Sequence, residues 1–433
     1  MLQSGMDYLN SRLMFGMVPG LESTRKLCEV LGNPQNKFKT IHVVGTNGKG
    51  STSYYLAGVL QAHGFRTGLF TSPHLVSLRE RIRIDGIPIG EADLDRLLLQ
   101  VKAAAEQVHV EPTFFEVLTL VSFLYYAEQG VDVVSMEAGM CGRLDSTAVA
   151  CGDIVVLTSI GLEHTEILGP TEEAILFEKM AIVEADERRV SKAFVLGGIS
   201  DSLKKKALDY TQKRGDECIF PVVRNDIELP NLGHHYVENA SLSLTAAEKF
   251  MRQNGGVAYN DALALSTLKS LSWAGRMQKL TDAQGRSRYI LDGAHNSHAV
   301  RRLVETLEMY YHGCKFHCVF GALKDKDVGE MLRLMSPYVS HWHITKTPYP
   351  RFRELSDLRQ QLEFLGLPVA SEGELNRVFL NSVDAAALGE NTSTPVLVTG
   401  SLYMIGETVQ LLKNDFDALS FFRGMTPSTN EHR

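Results

Sequence analysis

Long apolar runs are missing from this sequence of 433 residues. No stretch reaches the roughly 18 consecutive apolar residues that a membrane-crossing helix requires, so no membrane partner is expected. Met1 to Gly20 lacks an apolar block behind a basic flank, which argues against a secretory leader. Basic charge is also scarce: 44 Lys and Arg stand against 51 Asp and Glu, for a net charge of −7. The longest basic run is Lys204-Lys205-Lys206, which reads as a solvated helix face, and no nucleic-acid partner is expected. The six cysteines (Cys28, Cys141, Cys151, Cys218, Cys314, Cys318) are scattered. They do not form a disulfide framework and fit a reducing cytoplasm. The one local gathering of His312, Cys314, His317 and Cys318 runs into Lys315–Phe320, which reads as a strand. Alternation along a strand sends neighbours to opposite faces, a poor geometry for a shared metal ion.

What is present is ordinary globular composition, 44% hydrophobic and 22% charged, in a chain long enough for two or three domains. Strand-like and helix-like segments alternate, the pattern of a mostly parallel sheet flanked by helices. Strands are expected at 38–44, 67–70, 131–136, 154–159 and 193–196, with helices at 49–62, 114–129, 171–184 and 236–253. A break falls near Trp273-Ala-Gly-Arg276. Beyond it a second alternation begins, with strands at 289–292, 316–320, 342–345 and 395–399 and helices at 297–311, 328–338, 354–365 and 402–414. The expected organisation is an N-terminal α/β phosphate-loop ATPase domain over 1–274 and a smaller Rossmann-like C-terminal α/β domain over 275–425. A polar, disordered tail over 426–433 completes it.

The run Gly45-Thr46-Asn47-Gly48-Lys49-Gly50-Ser51-Thr52 joins a strand to a helix. Glycines let backbone N–H groups approach phosphate oxygens, and the helix N-terminus adds partial positive charge. Lys49 supplies a full charge to the terminal phosphates. Ser51 or Thr52 can bring a hydroxyl to a phosphate or its metal, although Gly50 separates Lys49 from Ser51, unlike the usual phosphate-loop spacing. These features point to ATP. Hydrolysable ATP brings Mg²⁺, which prefers hard oxygen ligands and retains waters. Glu137 follows the apolar strand 131–136, where an α/β sheet presents its ligand chemistry, and its carboxylate can hold the ion. Ser72 lies on the same edge. Arg276, at the domain break, can reach phosphates with a planar fork.

The phosphate loop resembles that of the Mur ligase superfamily, and of folylpolyglutamate synthase/dihydrofolate synthase in particular. Further blocks resemble that family in order: Leu31–Gln35, Phe70-Thr-Ser-Pro-His74-Leu75, Glu80-Arg-Ile-Arg83, Phe115–Thr119, Glu137-Ala-Gly139, Leu144-Asp-Ser-Thr147 and His164 before Leu168-Gly-Pro170. The series continues with Glu178-Lys179, Gly275-Arg276-Met277, Leu291-Asp-Gly-Ala-His-Asn296, Gly321–Asp327 and Thr399-Gly-Ser-Leu-Tyr403. The resemblance implies Ser72 and Glu137 as ligands of a first Mg²⁺ and His164 as a ligand of a second. It implies a carbamylated Lys179 that bridges metals where a free ammonium would repel them. Asn239 and Asp292 would contact the nucleotide, and His295 would face the phosphates with Arg276.

The implied reaction is ATP-dependent ligation. The γ-phosphoryl group of ATP passes to a substrate carboxylate, and the amine of L-glutamate attacks the resulting acyl phosphate. The acid would be dihydropteroate or the γ-carboxyl of a folate. Lys49, Lys179, Arg276 and His295 would carry the chemistry. Phe115 and Asp145 would border the pterin, with Phe115 suited equally to ring stacking or to the core. Ser401 and Tyr403 would help hold glutamate. Cys141, Ala148, Ala274, Tyr236, Gln278 and the pair Met180-Ala181 depart from the family pattern. A monomer is expected. Two other readings are an amide ligase acting on a UDP-muramyl peptide and a non-catalytic nucleotide-binding regulator. The first needs a further N-terminal domain, and 44 residues precede Gly45. Lys49, Glu137, His164, Lys179 and Arg276 argue against the second.

Overall fold

A computed structural model describes residues 4–12, 20–185, 192–282, 285–389 and 394–413. The expected tail over 426–433 lies outside the described residues.

The first sheet has eight strands in the order β4-β3-β2-β5-β1-β6-β7-β8. These are β1 (Lys39–Val44), β2 (Thr67–Phe70), β3 (Ile82–Ile84), β4 (Ile87–Pro88), β5 (Val133–Glu137), β6 (Ile154–Ser159), β7 (Ala193–Gly198) and β8 (Glu217–Ile219). All pair in parallel except β3 with β2 and β4 with β3. The central strands are apolar at nearly every position because helices cover both faces. Ile41, Val43, Val133 and Val156 pack with the helices Lys49–Ala62 and His234–Asn254. On the other face Val134 and Met136 meet the helices Glu91–Val108 and Phe114–Glu128, while Val155 and Leu157 meet Glu172–Met180. Thr113 and Glu116 form a reciprocal capping box that starts the Phe114–Glu128 helix.

The second sheet has six strands in the order β13-β12-β11-β14-β10-β9. They are β9 (Gln278–Thr281), β10 (Ser287–Asp292), β11 (Phe316–Phe320), β12 (Val339–Lys346), β13 (Val369–Glu374) and β14 (Val396–Thr399). Only β9, joined to β10 as a hairpin, runs antiparallel. Phe316, Cys318 and Phe320 face the helices Ser297–Tyr310, Val328–Met335 and Leu355–Phe364. Val319 and Val398 face Arg377–Gly389 and Leu402–Leu412. His317 lies opposite Cys318 and stacks on His341 and His343.

The segment expected as one helix over 171–184 divides into the helix Glu172–Met180 and a 3₁₀ turn Ala181–Ala185. The Ala181 N–H is shared between Phe177 and Lys179 carbonyls, which tightens the last turn. Likewise the segment 328–338 ends in a 3₁₀ turn, Ser336–Tyr338, because Pro337 cannot donate to the helix.

In the first sheet β1 has β5 on one side and β6 on the other, so the crossovers diverge there. Such a switch point opens a crevice at the C-terminal ends of the strands. Gly45, Glu137 and Ser159 emerge at that edge. The corresponding edge of the second sheet carries Asp292 and Thr399. Tyr236, from the first domain's helix His234–Asn254, is buried in the second domain's core with Met277 and Ile290.

Candidate active site

The phosphate loop owes its path to two glycines. Gly45 has φ +146°, and a Cβ there would stand 2.0 Å from Thr158 Oγ1. Gly48 has φ +86°, and a Cβ there would stand 2.7 Å from Asn239 Oδ1. Only glycine fits both the left-handed backbone and the close approach. Lys49 opens the following helix, and its Nζ folds back to donate to the carbonyls of Gly45 (3.0 Å) and Thr46 (3.2 Å). Ser51 lines the cleft. Thr52 is buried, and its hydroxyl has no hydrogen-bond partner among the described residues. The Thr46 hydroxyl bonds to the carbonyl and N–H of Gly161, tying the loop to the segment after β6.

Glu137 ends β5 inside the strand rather than just beyond it, and it is buried. Its Oε2 accepts from the Ser72 N–H at 2.9 Å. A Cβ on Gly50 would lie 3.4 Å from the same oxygen, so the loop runs directly over the carboxylate. Burial pushes the Glu137 carboxyl up to about 7, against the pull of Lys49, the Ser72 N–H, Arg276 and Arg81. A bound divalent cation would reverse that balance. Lys179, in the last turn of Glu172–Met180, is also buried, and its Nζ donates to the Met140 carbonyl at 2.8 Å. Burial, helped by Lys49, lowers its ammonium to about 7. His164 precedes a short helix with φ +50° and sits 3.6 Å from Glu163. Burial lowers the His164 imidazole, keeping it in the neutral form that ligates metals.

Among the described residues no three His, Cys, Asp or Glu side chains gather closely enough to hold a metal ion by themselves. Mg²⁺ takes one or two carboxylates and completes its shell with phosphate oxygens and water. Glu137 beside the Ser72 segment and the phosphate loop is such a donor set. The glycine cradle and the orphaned Thr52 hydroxyl fit a triphosphate on the same edge.

Asn47, Gly48, Asn239, Arg276, Asp292 and His295 line one cleft between the two sheets. Asp292 ends β10 and is held by the N–H groups of Met277 and Ala294, both at 2.9 Å. Burial raises its carboxyl, with Arg276 opposing. His295 Nδ1 donates to the Gly293 carbonyl at 2.8 Å, which leaves Nε2 free to accept. Arg276 also borders a second concavity on the far side, where the Trp273 ring packs at a tilt on Tyr54, centroids 4.5 Å apart, and His74 and Arg83 reach the wall. Arg81 Nε donates to His74 Nδ1 at 3.0 Å, and Tyr403 stacks on Tyr349 at 4.3 Å, close enough to influence Arg81.

The pterin-side residues sit differently. The Phe115 ring packs on Phe70 and under Gly139, where a Cβ would be 2.7 Å away. Both Asp145 oxygens are engaged within its own loop, by Thr147 and by the Met140 N–H, so the carboxylate shapes the loop that covers Lys179. Ser401 is buried with no partner for its hydroxyl among the described residues. Sequence reasoning missed Glu163, which lies 3.8 Å from Lys326 across the domains, and the carboxylate of Glu80, which accepts from the backbone of Leu75, Val76 and Ser77. Glu80 stood inside a recognised block, and Glu163 directly precedes His164.

The chain matches the model of the Mur ligase middle domain over residues 43–247 and that of the Mur ligase glutamate ligase domain over 275–402. It is 32% identical to the dihydrofolate synthase/folylpolyglutamate synthase of Bacillus subtilis, over 95% of this chain and 99% of that one. The chain belongs to the folylpolyglutamate synthase/dihydrofolate synthase family. Its fold is that of Mycobacterium tuberculosis folylpolyglutamate synthase complexed with ADP and AMPPCP, at TM-score 0.81 and 25% identity, covering 95% of this chain and 99% of that one. It also matches the bifunctional Yersinia pestis enzyme complexed with AMPPNP and Mn ion, at TM-score 0.77 and 27% identity, covering 94% and 97%. Members of this folylpolyglutamate synthase/dihydrofolate synthase family are ATP-dependent amide ligases that use a divalent metal, and the two-domain α/β architecture expected from the sequence is theirs. Gln278 Oε1 accepts from the Gly275 N–H at 2.8 Å, which ties the inter-domain turn.

Proposed function

We propose that this chain joins L-glutamate to dihydropteroate, to the γ-carboxyl of folylglutamates, or to both, with release of ADP and phosphate. The observation that carries this reading is the single cleft in which the phosphate loop and Asn239 face Arg276, Asp292 and His295 of the other domain. Phosphoryl transfer needs little covalent help and much charge placement. Lys49 and Arg276 supply cationic charge where the γ-phosphoryl leaves ATP for the carboxylate oxygen. Glu137 and Ser72 would hold Mg²⁺, and His164 and Lys179 would ligate a second ion. Mg²⁺ bound there would supply positive charge to the phosphate oxygens. The glutamate amine then attacks the acyl carbon, the bond to phosphate breaks, and closed domains keep water from competing. The unpartnered Ser401 hydroxyl and the stacked Tyr403 would face the incoming glutamate. Phe115 and the Asp145 loop would border the flat ring of the acid.

Lys179 is suited to carbamylation. With its ammonium lowered to about 7, much of it is free amine at neutral pH. That amine can add to CO₂ with loss of a proton, turning a cation into a metal-binding anion. Labelled bicarbonate should give a carbamate carbon signal in the wild type that is absent in Lys179→Ala; equal spectra would refute the modification. We place the domain boundary after Ala274, expect a monomer, and place the enzyme in the cytoplasm in keeping with its scattered cysteines. No described helix is long and apolar enough to cross a membrane. The deciding assay supplies ATP, Mg²⁺ and glutamate with dihydropteroate or with tetrahydrofolate. Glutamyl amide forming with at least one acid, in step with ADP, is the expected result. ADP release that ignores both acids and glutamate would overturn it.

A further inference from the structure

Asn47 stands in the phosphate loop, yet its side chain turns away from the loop toward the second domain. Its backbone is gripped by the end of β6. The Asn47 N–H donates to Ser159 Oγ at 3.1 Å, and its carbonyl accepts from Thr158 Oγ1 at 2.6 Å and Ser159 Oγ at 3.0 Å. Its amide meets Asn296 in a reciprocal pair, Nδ2 donating to Asn296 Oδ1 at 3.3 Å and Oδ1 accepting from Asn296 Nδ2 at 3.2 Å. The remaining Nδ2 proton points to His298 Nδ1 at 2.9 Å. An amide donor there requires the ring to accept at Nδ1, hence a neutral imidazole protonated at Nε2. The donors and acceptor of one primary amide are thus spent on the other domain.

The receiving side is built to hold still. Asn296 caps the Ser297–Tyr310 helix, its Oδ1 accepting from the Ala299 N–H at 2.8 Å. A Cβ on Gly161 would come 3.2 Å from the His298 ring, so the first-domain loop after β6 lies against the imidazole. One turn further on, Arg302 pairs with Glu238 of the first domain at 3.0 Å. The first turns of this helix therefore form the wall that closes on the phosphate loop.

We propose that Asn296 and His298 are positioning residues that clasp the phosphate loop through the Asn47 side chain, holding the cleft shut while the acyl phosphate exists. The proposal rests on the ligase reading above. Nucleotide phosphates, by ordering the loop, order Asn47, and Asn47 recruits the second domain. Without the clasp the cleft opens with the intermediate in place. Water then replaces the amine: its oxygen attacks the acyl carbon, the carbon–oxygen bond to phosphate breaks, and the starting acid and inorganic phosphate are returned with no amide made.

The test uses the full-length enzyme with Asn296→Ser, His298→Ala and the double variant. Serine remains a competent helix cap, so Asn296→Ser removes the amide pair and spares the helix start. Amide product, phosphate, ADP affinity by calorimetry and the melting temperature are measured together. For the double variant the clasp predicts a fall in kcat for amide of about tenfold or more and a phosphate-to-amide ratio rising from one to above about two, with ADP affinity within about threefold of wild type. His298→Gln, which can still offer an acceptor, should restore part of the coupling. Wild-type turnover at a ratio of one in the double variant would overturn the clasp, as would a loss explained wholly by weaker ADP binding. A wild-type enzyme that formed no amide would instead remove the ligase reading, and the clasp with it.

Discussion

Glu137 shows how a buried group records what it is waiting for. Its carboxyl stands at about 7 because burial outweighs Lys49 and the Ser72 N–H. Unfolded, it would titrate near the ordinary value of 4.5. As pH rises from there through 7, the unfolded chain gives up its proton first, so the metal-free fold loses stability, at most by about 3 kcal/mol. Glu137→Gln removes that loss while keeping an acceptor for Ser72. In metal-free and nucleotide-free protein the variant should melt higher than wild type at pH 8 and converge with it near pH 4.5. Adding Mg²⁺ and nucleotide should reverse the order at pH 8, because only the wild type gains from binding the ion. A melting difference that ignores pH would contradict the assignment. Where these residues lie was legible beforehand. Gly45 and Glu137 sit at strand ends and Gly48 and Lys49 at the start of the next helix, and such boundaries follow from local pattern. The internal use of Asp145 was not legible, since it depends on how its loop folds back on Met140 and Thr147.

Elements with apolar cores and glycine boundaries emerge where the sequence places them. The helix Lys49–Ala62 and the strands Ile154–Ser159 and Phe316–Phe320 are examples. Short or edge elements do not. The hairpin of β3 and β4 spans three and two residues and buries Arg83, and β13 alternates between half-buried and exposed positions. Neither carries enough apolar period to be distinguished from loop. The segment from Leu75 to Ser77 has no secondary structure of its own and is shaped by a single carboxylate. Glu80 accepts from three consecutive backbone N–H groups at 2.9, 3.0 and 2.6 Å. Glu80→Ala should cost about 1–3 kcal/mol. On the proposal that the second concavity, whose wall carries His74 and Leu75, receives part of the acid substrate, it should also raise KM for the acid several-fold while KM for ATP stays near wild type. Steady-state kinetics with each substrate varied in turn would check this, and an equal rise in both KM values would contradict it.

At the scale of the whole molecule, the contacts that make two domains one enzyme join residues far apart in the chain. Asn47 and Asn296 are 249 positions apart, and Tyr236 crosses into the other domain's core. No local pattern announces such pairs, which is why the sequence yields the parts of the site and not the way they close. Another such contact is Gly406 in the Leu402–Leu412 helix, where a Cβ would stand 1.8 Å from the Leu75 carbonyl oxygen. Backbone cannot yield as a flexible side chain would, so Gly406→Ala should force the domains apart on this side. The expected outcome is a tenfold or greater loss of kcat, about 1.4 kcal/mol or more in the barrier, with nucleotide binding retained. Wild-type turnover in the alanine variant would show that the contact is dispensable.

The central claim is that the substrate carboxylate itself receives the γ-phosphoryl group, and isotope transfer tests it most directly. An acid substrate whose reacting carboxylate carries heavy oxygen is turned over with unlabelled ATP and water, and the phosphate is weighed. Each phosphate released with amide should carry one heavy oxygen from the carboxylate. Phosphate carrying none, alongside normal amide formation, would contradict the account.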